Sequence, residues 1–324
     1  SNDDTSLGDP HLLLVGLPKP SNRGGMVMPG RKHIITKRSA PYIFVSPFFV
    51  LFAIFMVFPI VYSVVLSFHD VRQLSQLNFV GLDNYKLLCN TPRFFRALSN
   101  TTYYAVGMCL LNVTIGFLLG LMLTWKRVPG TSIYRTCVFL PVLVSTVIAG
   151  AVFRLILVDT EGGFLNYLVG HLGVPVQNWL DSSRWALKSV MALGFWRSIG
   201  LSTIYFIGGF QGLPHDLYEA AHIDGANPLQ QLRYLTIPLM RPIIAFVSIV
   251  TLSQAYFVFT EVFVLNPSGG SARDTVVTLG YYLYESGFRF FKLGYGASIG
   301  VVMTLIIVVL SLVQLRLLGV FQAD

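Results

Sequence analysis

The sequence predicts an all-α, polytopic membrane protein with six transmembrane helices and one cytoplasmic helix-turn-helix loop. Three observations carry that prediction. Charged residues make up 12% and hydrophobic residues 54% of the 324 positions, and the charged share is about half that of a soluble domain. Uncharged, mostly apolar runs occupy residues 39–69, 97–125, 136–153, 198–215, 242–260 and 293–315. Between the fourth and fifth runs lies a more polar stretch whose local signals spell helix, turn, helix.

A span needs about 20 apolar residues. Three of the runs reach that length alone; the others do so by including Arg154, Arg197 or Glu261. Cys89, Cys109 and Cys137 show no CxxC spacing or disulfide framework, and the six histidines show no metal-ligand spacing. The net charge of +8 lacks the basic stripe on a soluble domain that nucleic-acid binding requires. In a membrane chain such residues report topology instead.

Residues 1–40 read as a Gly- and Pro-rich cytoplasmic tail, its basic end suited to anionic headgroups. Residues 41–321 form the membrane domain, and 322–324 a short C-terminal end. Lys126, Arg127 and Arg135 in the short second loop place that loop, and both termini, inside. The first span carries Pro47 and Pro59, each removing a backbone bond. The third is expected to run over 135–157 with Arg154 near the outer interface, and the fourth over 185–210 with Trp196 and Arg197 close to its centre. The fifth, about 243–265, is expected to carry Gln254, Phe257 and Glu261 on one face of a single helix. Residues 275–292, rich in Tyr and Phe, read as a helix lying at the outer interface. The small residues Gly294, Gly296, Ala297, Ser298 and Gly300 open the sixth span and permit close helix approach.

The polar stretch 214–242 is predicted residue by residue. Pro214 suits a helix start, and Gly225 is placed to end that helix in the left-handed conformation. Asn227 then caps a second helix, with Pro228 at its first position and Gln230 completing a capping box. Pro238 and Pro242 are expected to stop that helix before the membrane resumes.

This stretch resembles the EAA loop of permease subunits in binding-protein-dependent ABC importers. Glu219, Ala220, Ala221, Asp224, Gly225, Ala226, Pro238 and Pro242 match the family pattern at its spacing. Leu232, Leu235 and Ile237 stand where Phe, Ile and Leu are usual. Phe79, Gly81, Leu82, Asn84 and Tyr85 resemble the F-x-G-L-x-N-Y signature of the carbohydrate-uptake class, the maltose and glycerol-phosphate permease type. Asn100–Thr101, Gly163, Leu165, Asn166 and Trp179–Leu180 follow the same class. The end of the fifth span resembles its pattern too, although Asn266 replaces a Thr and the closing Pro is missing.

The resemblance implies a type I importer permease in the bacterial inner membrane. It implies a second, homologous permease subunit, two cytoplasmic ATPase subunits that grip the loops, and an extracytoplasmic solute-binding protein. ATP and Mg are expected on the ATPase partners and no cofactor on this chain, which has no Gly-Lys pair with which to build a phosphate-binding loop. Glu219, Ala220, Ala221, Asp224, Gly225, Ala226 and Pro238 are the expected ATPase-coupling residues.

Trp196, Arg197, Gln254, Phe257 and Glu261 are the candidates for the substrate path, because ionisable groups inside spans face a wet cavity or a partner and a ring beside hydrogen-bonding groups suits sugars. Pairing of Arg197 and Glu261 with each other, or with the partner subunit, purely for assembly is equally open. Asn112-Val113-Thr114 matches a glycosylation acceptor but falls within a span and is set aside. Arg197 with the outer Arg93, Arg96, Arg273, Arg289 and Lys292 points to an acidic oligosaccharide such as alginate oligomers; glycerol-phosphate or a neutral sugar stays open. Two other classes are weighed. A secondary, ion-coupled transporter needs midplane ion-coupling acids and inverted repeats. An intramembrane enzyme needs a nucleophile–base or metal set, and none is visible.

Overall fold

A computed structural model describes residues 40–71, 77–124, 130–266 and 275–317. The basic tail, Lys126 and Arg127 of the second loop, the turn with Arg273, and residues 318–324 lie outside the described residues. The chain divides into two compact units, Ser1–Met56 and Val57–Asp324.

In the first unit the described part is helix α1 (Ala40–Phe52), which carries Pro47 inside it and leads into a wide π turn beginning at Ala53. Phe48 stacks on Phe52 with ring centroids 6.0 Å apart. Its side chains are exposed all round, an apolar surface of the kind lipid or another chain covers.

The second unit opens with α2 (Phe58–Leu66), followed by a two-residue antiparallel ladder of β1 (His69–Asp70) with β2 (Asn78–Phe79). The F-x-G-L-x-N-Y residues clasp the end of α2. Gly81 takes a positive φ of 57°, which only glycine adopts freely, and so aims α3 (Asp83–Asn90) back at the ladder. Asn84 then donates from Nδ2 to the carbonyls of Ser67 and His69, at 2.9 and 3.0 Å, and the Tyr85 hydroxyl meets Ser67 Oγ at 2.7 Å. These carbonyls follow the last turn of a helix, where intrahelical partners have run out.

Among the described residues four helices are long and apolar enough to cross a membrane: Pro41–Leu66, Pro92–Thr124, Ala186–Gln211 and Leu293–Arg316; two bent pairs raise the number to six if each is one span. Within the second unit, α4 (Pro92–Thr124) packs along α8 (Ala186–Gln211), which packs in turn on α5 (Thr131–Leu143). Close approach needs small residues. A Cβ on Gly120 would lie 2.8 Å from Phe206 Cβ, and one on Gly200 would lie 2.4 Å from the Val138 carbonyl oxygen. The buried core contains Tyr104 and Met108 of α4 and Val190 and Leu193 of α8, joined by Leu252 and Tyr256 from later in the chain.

Three expectations need correction. The third span is not one helix: α5 and α6 (Thr146–Ile156) meet at 98°. Pro141 weakens the helix by removing an N–H, and Val144 turns extended at ψ 131°. The fifth span is also broken. Its helix α12 (Arg241–Tyr256) stops short of Glu261, which sits on a separate helix α13 (Thr260–Leu265). At the break the Val258 carbonyl accepts from Thr278 Oγ1 at 2.9 Å instead of from a helical N–H. Finally, only the end of the aromatic segment is exposed, at Phe288, Phe290 and Phe291, and its first half packs inside. Within it α14 (Leu279–Tyr284) is buried at Leu279, Tyr281 and Tyr282. Thr101 Oγ1 accepts the Leu279 N–H at 2.8 Å, and Asn100 Nδ2 donates to Val277 O at 3.0 Å. The segment therefore docks on α4 and on α15 (Leu293–Leu317). The small residues of α15 make that docking possible: a Cβ on Gly296 would sit 2.9 Å from Gly287 Cα.

Candidate functional site

Two places bring the singled-out residues together: a cavity inside the bundle and a hairpin on its surface.

The cavity has a volume of about 310 Å³ and is walled by α4, α5, α8, α12 and the break before α13. Arg197, Gln254, Phe257 and Glu261 all line it. The helix break brings this about: by ending α12 at Tyr256, it turns Phe257 and Glu261 to the same opening without a shared helix face. Trp196 is not among the lining residues. A helix turns its neighbours apart by about 100° per residue, and the Trp196 ring lies instead against Phe153, centroids 5.7 Å apart.

Arg197 Nη1 lies 3.1 Å from Glu261 Oε1, with side chains 26% and 16% exposed. Both ionised groups of the lining are therefore committed to each other, and such a partly buried pair holds mainly because neither charge is left alone. Arg197 Nε is buried with no hydrogen-bond partner, so the guanidinium keeps one unsatisfied donor. The rest of the lining is neutral. It includes the hydroxyls of Tyr104, Ser198, Ser202, Tyr205 and Thr251, the Gln254 amide and the exposed Phe257 ring. The sequence reading missed these hydroxyls. Their signal was helical spacing, with Ser202 and Tyr205 recurring one and two turns beyond Ser198, the neighbour of Arg197.

The hairpin follows α8. Helix α9 (His215–Ile223) has Pro214 as its N-cap and ends in a Schellman motif. There the N–H of Ala226 donates to Ala221 O at 2.9 Å and that of Gly225 to His222 O at 3.1 Å, with Gly225 at φ 82°. Helix α10 (Pro228–Gln231) starts with a full capping box: Asn227 Oδ1 accepts from Gln230 N at 2.9 Å, and Gln230 Oε1 from Asn227 N at 2.8 Å. The two arms are tied by Tyr218 Oη and Thr236 Oγ1 at 3.0 Å.

Pro238 does not end the second arm. A π turn over Leu232–Thr236 precedes it, and α11 (Ile237–Leu239) carries the chain to a 63° bend at Met240 into α12. The wide turn tolerates the missing proline N–H. Glu219, Ala220, Asp224 and Gly225 are exposed, while Ala221, Ala226 and Pro238 are half-buried. Three apolar side chains that the sequence reading passed over stand out on the hairpin: Ile223, Leu229 and Tyr234 are 85%, 72% and 67% exposed.

Broken apolar helices around a polar cavity, with a capped hairpin beside them, suit a membrane-embedded transport subunit. Residues 112–322 match the model of the family described as the binding-protein-dependent transport system inner membrane component, and the chain belongs to that family. It is 35% identical over 291 residues to the arabinooligosaccharides transport system permease protein AraP of Bacillus subtilis (strain 168), covering 89% of this chain and 91% of the relative. It is 32% identical to the lactose transport system permease protein LacF of Rhizobium radiobacter, covering 84% and 92%. Its fold is similar to a chain in the crystal structure of a bacterial ABC transporter involved in the import of the acidic polysaccharide alginate. There the TM-score is 0.76 at 22% identity, covering 87% of this chain and 96% of that one.

Proposed function

We propose that this chain is the permease subunit of an ATP-driven ABC importer that admits neutral oligosaccharides through the cavity around Arg197 and Glu261. Carbohydrate uptake is the role of the class to which its relatives belong. The observation that carries the neutral reading is the 3.1 Å pair of Arg197 with Glu261: an anion entering the cavity meets no free positive charge. Outside the cavity, Glu285 holds Arg93 at 2.6 Å and Arg289 at 3.6 Å, which weakens the case for an anion-gathering surface. A wall of hydroxyls, an amide and one exposed ring fits the mixed apolar and hydroxylated faces of a sugar.

The rest of the machine follows from the same reading. A second permease completes the pathway, two ATPase subunits carry ATP and Mg, and an extracytoplasmic binding protein delivers solute. The hairpin lies inside together with both termini, and Ile223, Leu229 and Tyr234 supply the apolar contact for an ATPase cleft. Glu219, Ala220, Ala221, Asp224, Gly225, Ala226 and Pro238 shape and present that contact. ATP-driven closure of the ATPases then moves the hairpin and, through α11 and the bend at Met240, pulls on α12 and the break that faces the cavity.

The test is uptake by the complete complex in vesicles, with an arabinotriose and a uronate trisaccharide as competing probes. Inhibition of arabinotriose uptake by unlabelled arabinotriose but not by the uronate is expected. Equal or stronger inhibition by the uronate overturns the neutral assignment. Uptake that continues without ATP removes the ABC reading altogether.

A further inference from the structure

The cavity's α8 wall has a polarity that is set from outside the cavity. Asn112, on α4, is fully buried and does not line the cavity. Its side chain sits behind Ser198 and Ser202, which do. The Asn112 amide has one possible orientation. The group 3.0 Å from the Met108 carbonyl must be a donor, so it is Nδ2. Oδ1 therefore faces the two serines and accepts from both hydroxyls, Ser198 Oγ at 3.0 Å and Ser202 Oγ at 3.0 Å. Two lone pairs receive two hydrogens, and the amide oxygen is saturated. Ser198 Oγ also lies 3.4 Å from Phe195 O, a longer contact that leaves its hydrogen with Asn112.

With both hydrogens committed behind them, the two serine oxygens can offer only lone pairs to the cavity. The same lining carries donors: the Arg197 guanidinium, beside Ser198 on α8, and the exposed Gln254 amide on α12. We infer that Asn112 is a positioning residue that fixes Ser198 and Ser202 as hydrogen-bond acceptors, so that this wall selects solutes presenting O–H donors. This deepens the solute-cavity reading above and rests on it. A sugar hydroxyl satisfies the wall by donating to Ser198 or Ser202 and accepting from Arg197 or Gln254. A carboxylate or other acceptor-only group set against the same wall faces lone pairs and loses its water without replacement. A site built to pair with a hydroxyl rejects the analogue that lacks it more strongly than an apolar pocket does.

The experiment uses the complete complex in vesicles, with arabinotriose and its set of monodeoxyfluoro analogues, in which fluorine replaces one O–H donor at a time. For the unmodified chain at least one analogue is expected to raise KM about tenfold, the scale of one lost hydrogen bond, with kcat nearly unchanged. That penalty disappears in Ser198→Ala with Ser202→Ala, where no acceptor remains to be satisfied. Asn112→Leu raises the KM of arabinotriose by a similar factor but adds nothing when combined with the two serine changes, because it acts through them.

An Asn112→Leu effect that adds in full to the serine effect identifies a merely structural role and overturns the inference. So does a fluorine penalty that persists without the serines. These serine measurements stand even if Asn112→Leu does not assemble. Gln254→Ala separates the two levels. If it changes KM while the serine pair changes nothing, the acceptor wall fails alone. If neither changes KM, the cavity is not the solute's path and the underlying reading fails.

Discussion

Arg197 on α8 and Glu261 in the first turn of α13 are joined by a 3.1 Å ion pair across the break in the fifth apolar segment. Removing one partner of a buried pair leaves the other charge uncompensated, whereas removing both avoids that penalty. Glu261→Gln is therefore expected to free the guanidinium, raise the KM for arabinotriose by about tenfold or more, and make a uronate trisaccharide an effective competitor. Adding Arg197→Met should restore most of the neutral uptake and abolish the new competition. Competition assays on vesicles read both. Unchanged selectivity in Glu261→Gln is the contrary result, showing that the pair does not set the charge preference.

Gly194 and Tyr104 make a second pair that can be tested by compensation. A Cβ on Gly194 would sit 2.2 Å from Tyr104 Oη but 3.4 Å from Cζ. The clash is with the hydroxyl alone, at the end of a ring otherwise fixed in the core. Gly194→Ala is expected to shift Tyr104 into the cavity and cut uptake severalfold, and Tyr104→Phe in the same chain to recover it, since the ring carbon is then at ordinary contact distance. Thermal stability of the purified complex should follow the same order. If Tyr104→Phe fails to rescue, the glycine is required for something other than room for that hydroxyl.

The hairpin was the most legible part of the sequence because its structure is local. Gly225 at φ 82° and the Asn227–Gln230 capping box depend only on residues a few positions apart, and turn and cap chemistry is written at that range. The cavity was legible in part. Mid-span charges such as Arg197 are rare enough to announce a site, but nothing local foretells that residues 257–259 leave the helix. Thr278, some 20 positions on, takes the Val258 carbonyl, and only tertiary packing decides that. The same holds for α5 and α6. Pro141 signals a kink, but the size of the 98° turn is settled by α6 packing against α13, where Gly150 meets Val264 closely. Asn112 shows the limit from the other side. Its sequence context suggested only a glycosylation match, whereas its partners lie 86 and 90 positions away.

The Schellman turn at Gly225 should separate coupling from folding. A side chain there is strained in the left-handed conformation by about 1 kcal/mol, and a Cβ would meet nothing within 4 Å, so the substitution disturbs the turn and not the bundle. Gly225→Asp is expected to leave membrane insertion and the purified permease's thermal transition within a few degrees of the original, while ATP-driven uptake falls at least tenfold. Asn227→Ala, which removes half of the capping box at a cost of about 1 kcal/mol, should give an intermediate loss. Normal uptake in Gly225→Asp would refute a role for the hairpin in receiving the ATPase stroke.

Asp159 provides a pH test away from the membrane spans. It lies in the segment linking α6 to α8, ahead of the short helix α7 (Phe164–Gly170), and its Oδ1 accepts the Trp179 N–H at 2.7 Å. Burial raises its pKa above the usual carboxylate value; the backbone N–H groups of Trp179 and Leu180 pull it down only in part, and Asp181 pushes it up further. A carboxyl whose folded pKa is raised binds its proton more tightly in the native state. Stability is therefore greatest below the unfolded pKa of about 4 and falls as pH rises through the folded value, then levels off. Asp159→Asn keeps an oxygen for the Trp179 N–H and removes the ionisation. At pH 7 the variant segment is expected to exchange its amide hydrogens more slowly than the original; near pH 4, after correction for intrinsic exchange, the two should converge. Asn166 gives the internal reference. It bonds the carbonyls of Val158 and Gln177 and the Trp179 indole and does not titrate, so Asn166→Ala should speed exchange equally at both pH values. Faster exchange in Asp159→Asn at pH 7 would mean that the ionised carboxylate stabilises this segment in spite of its burial.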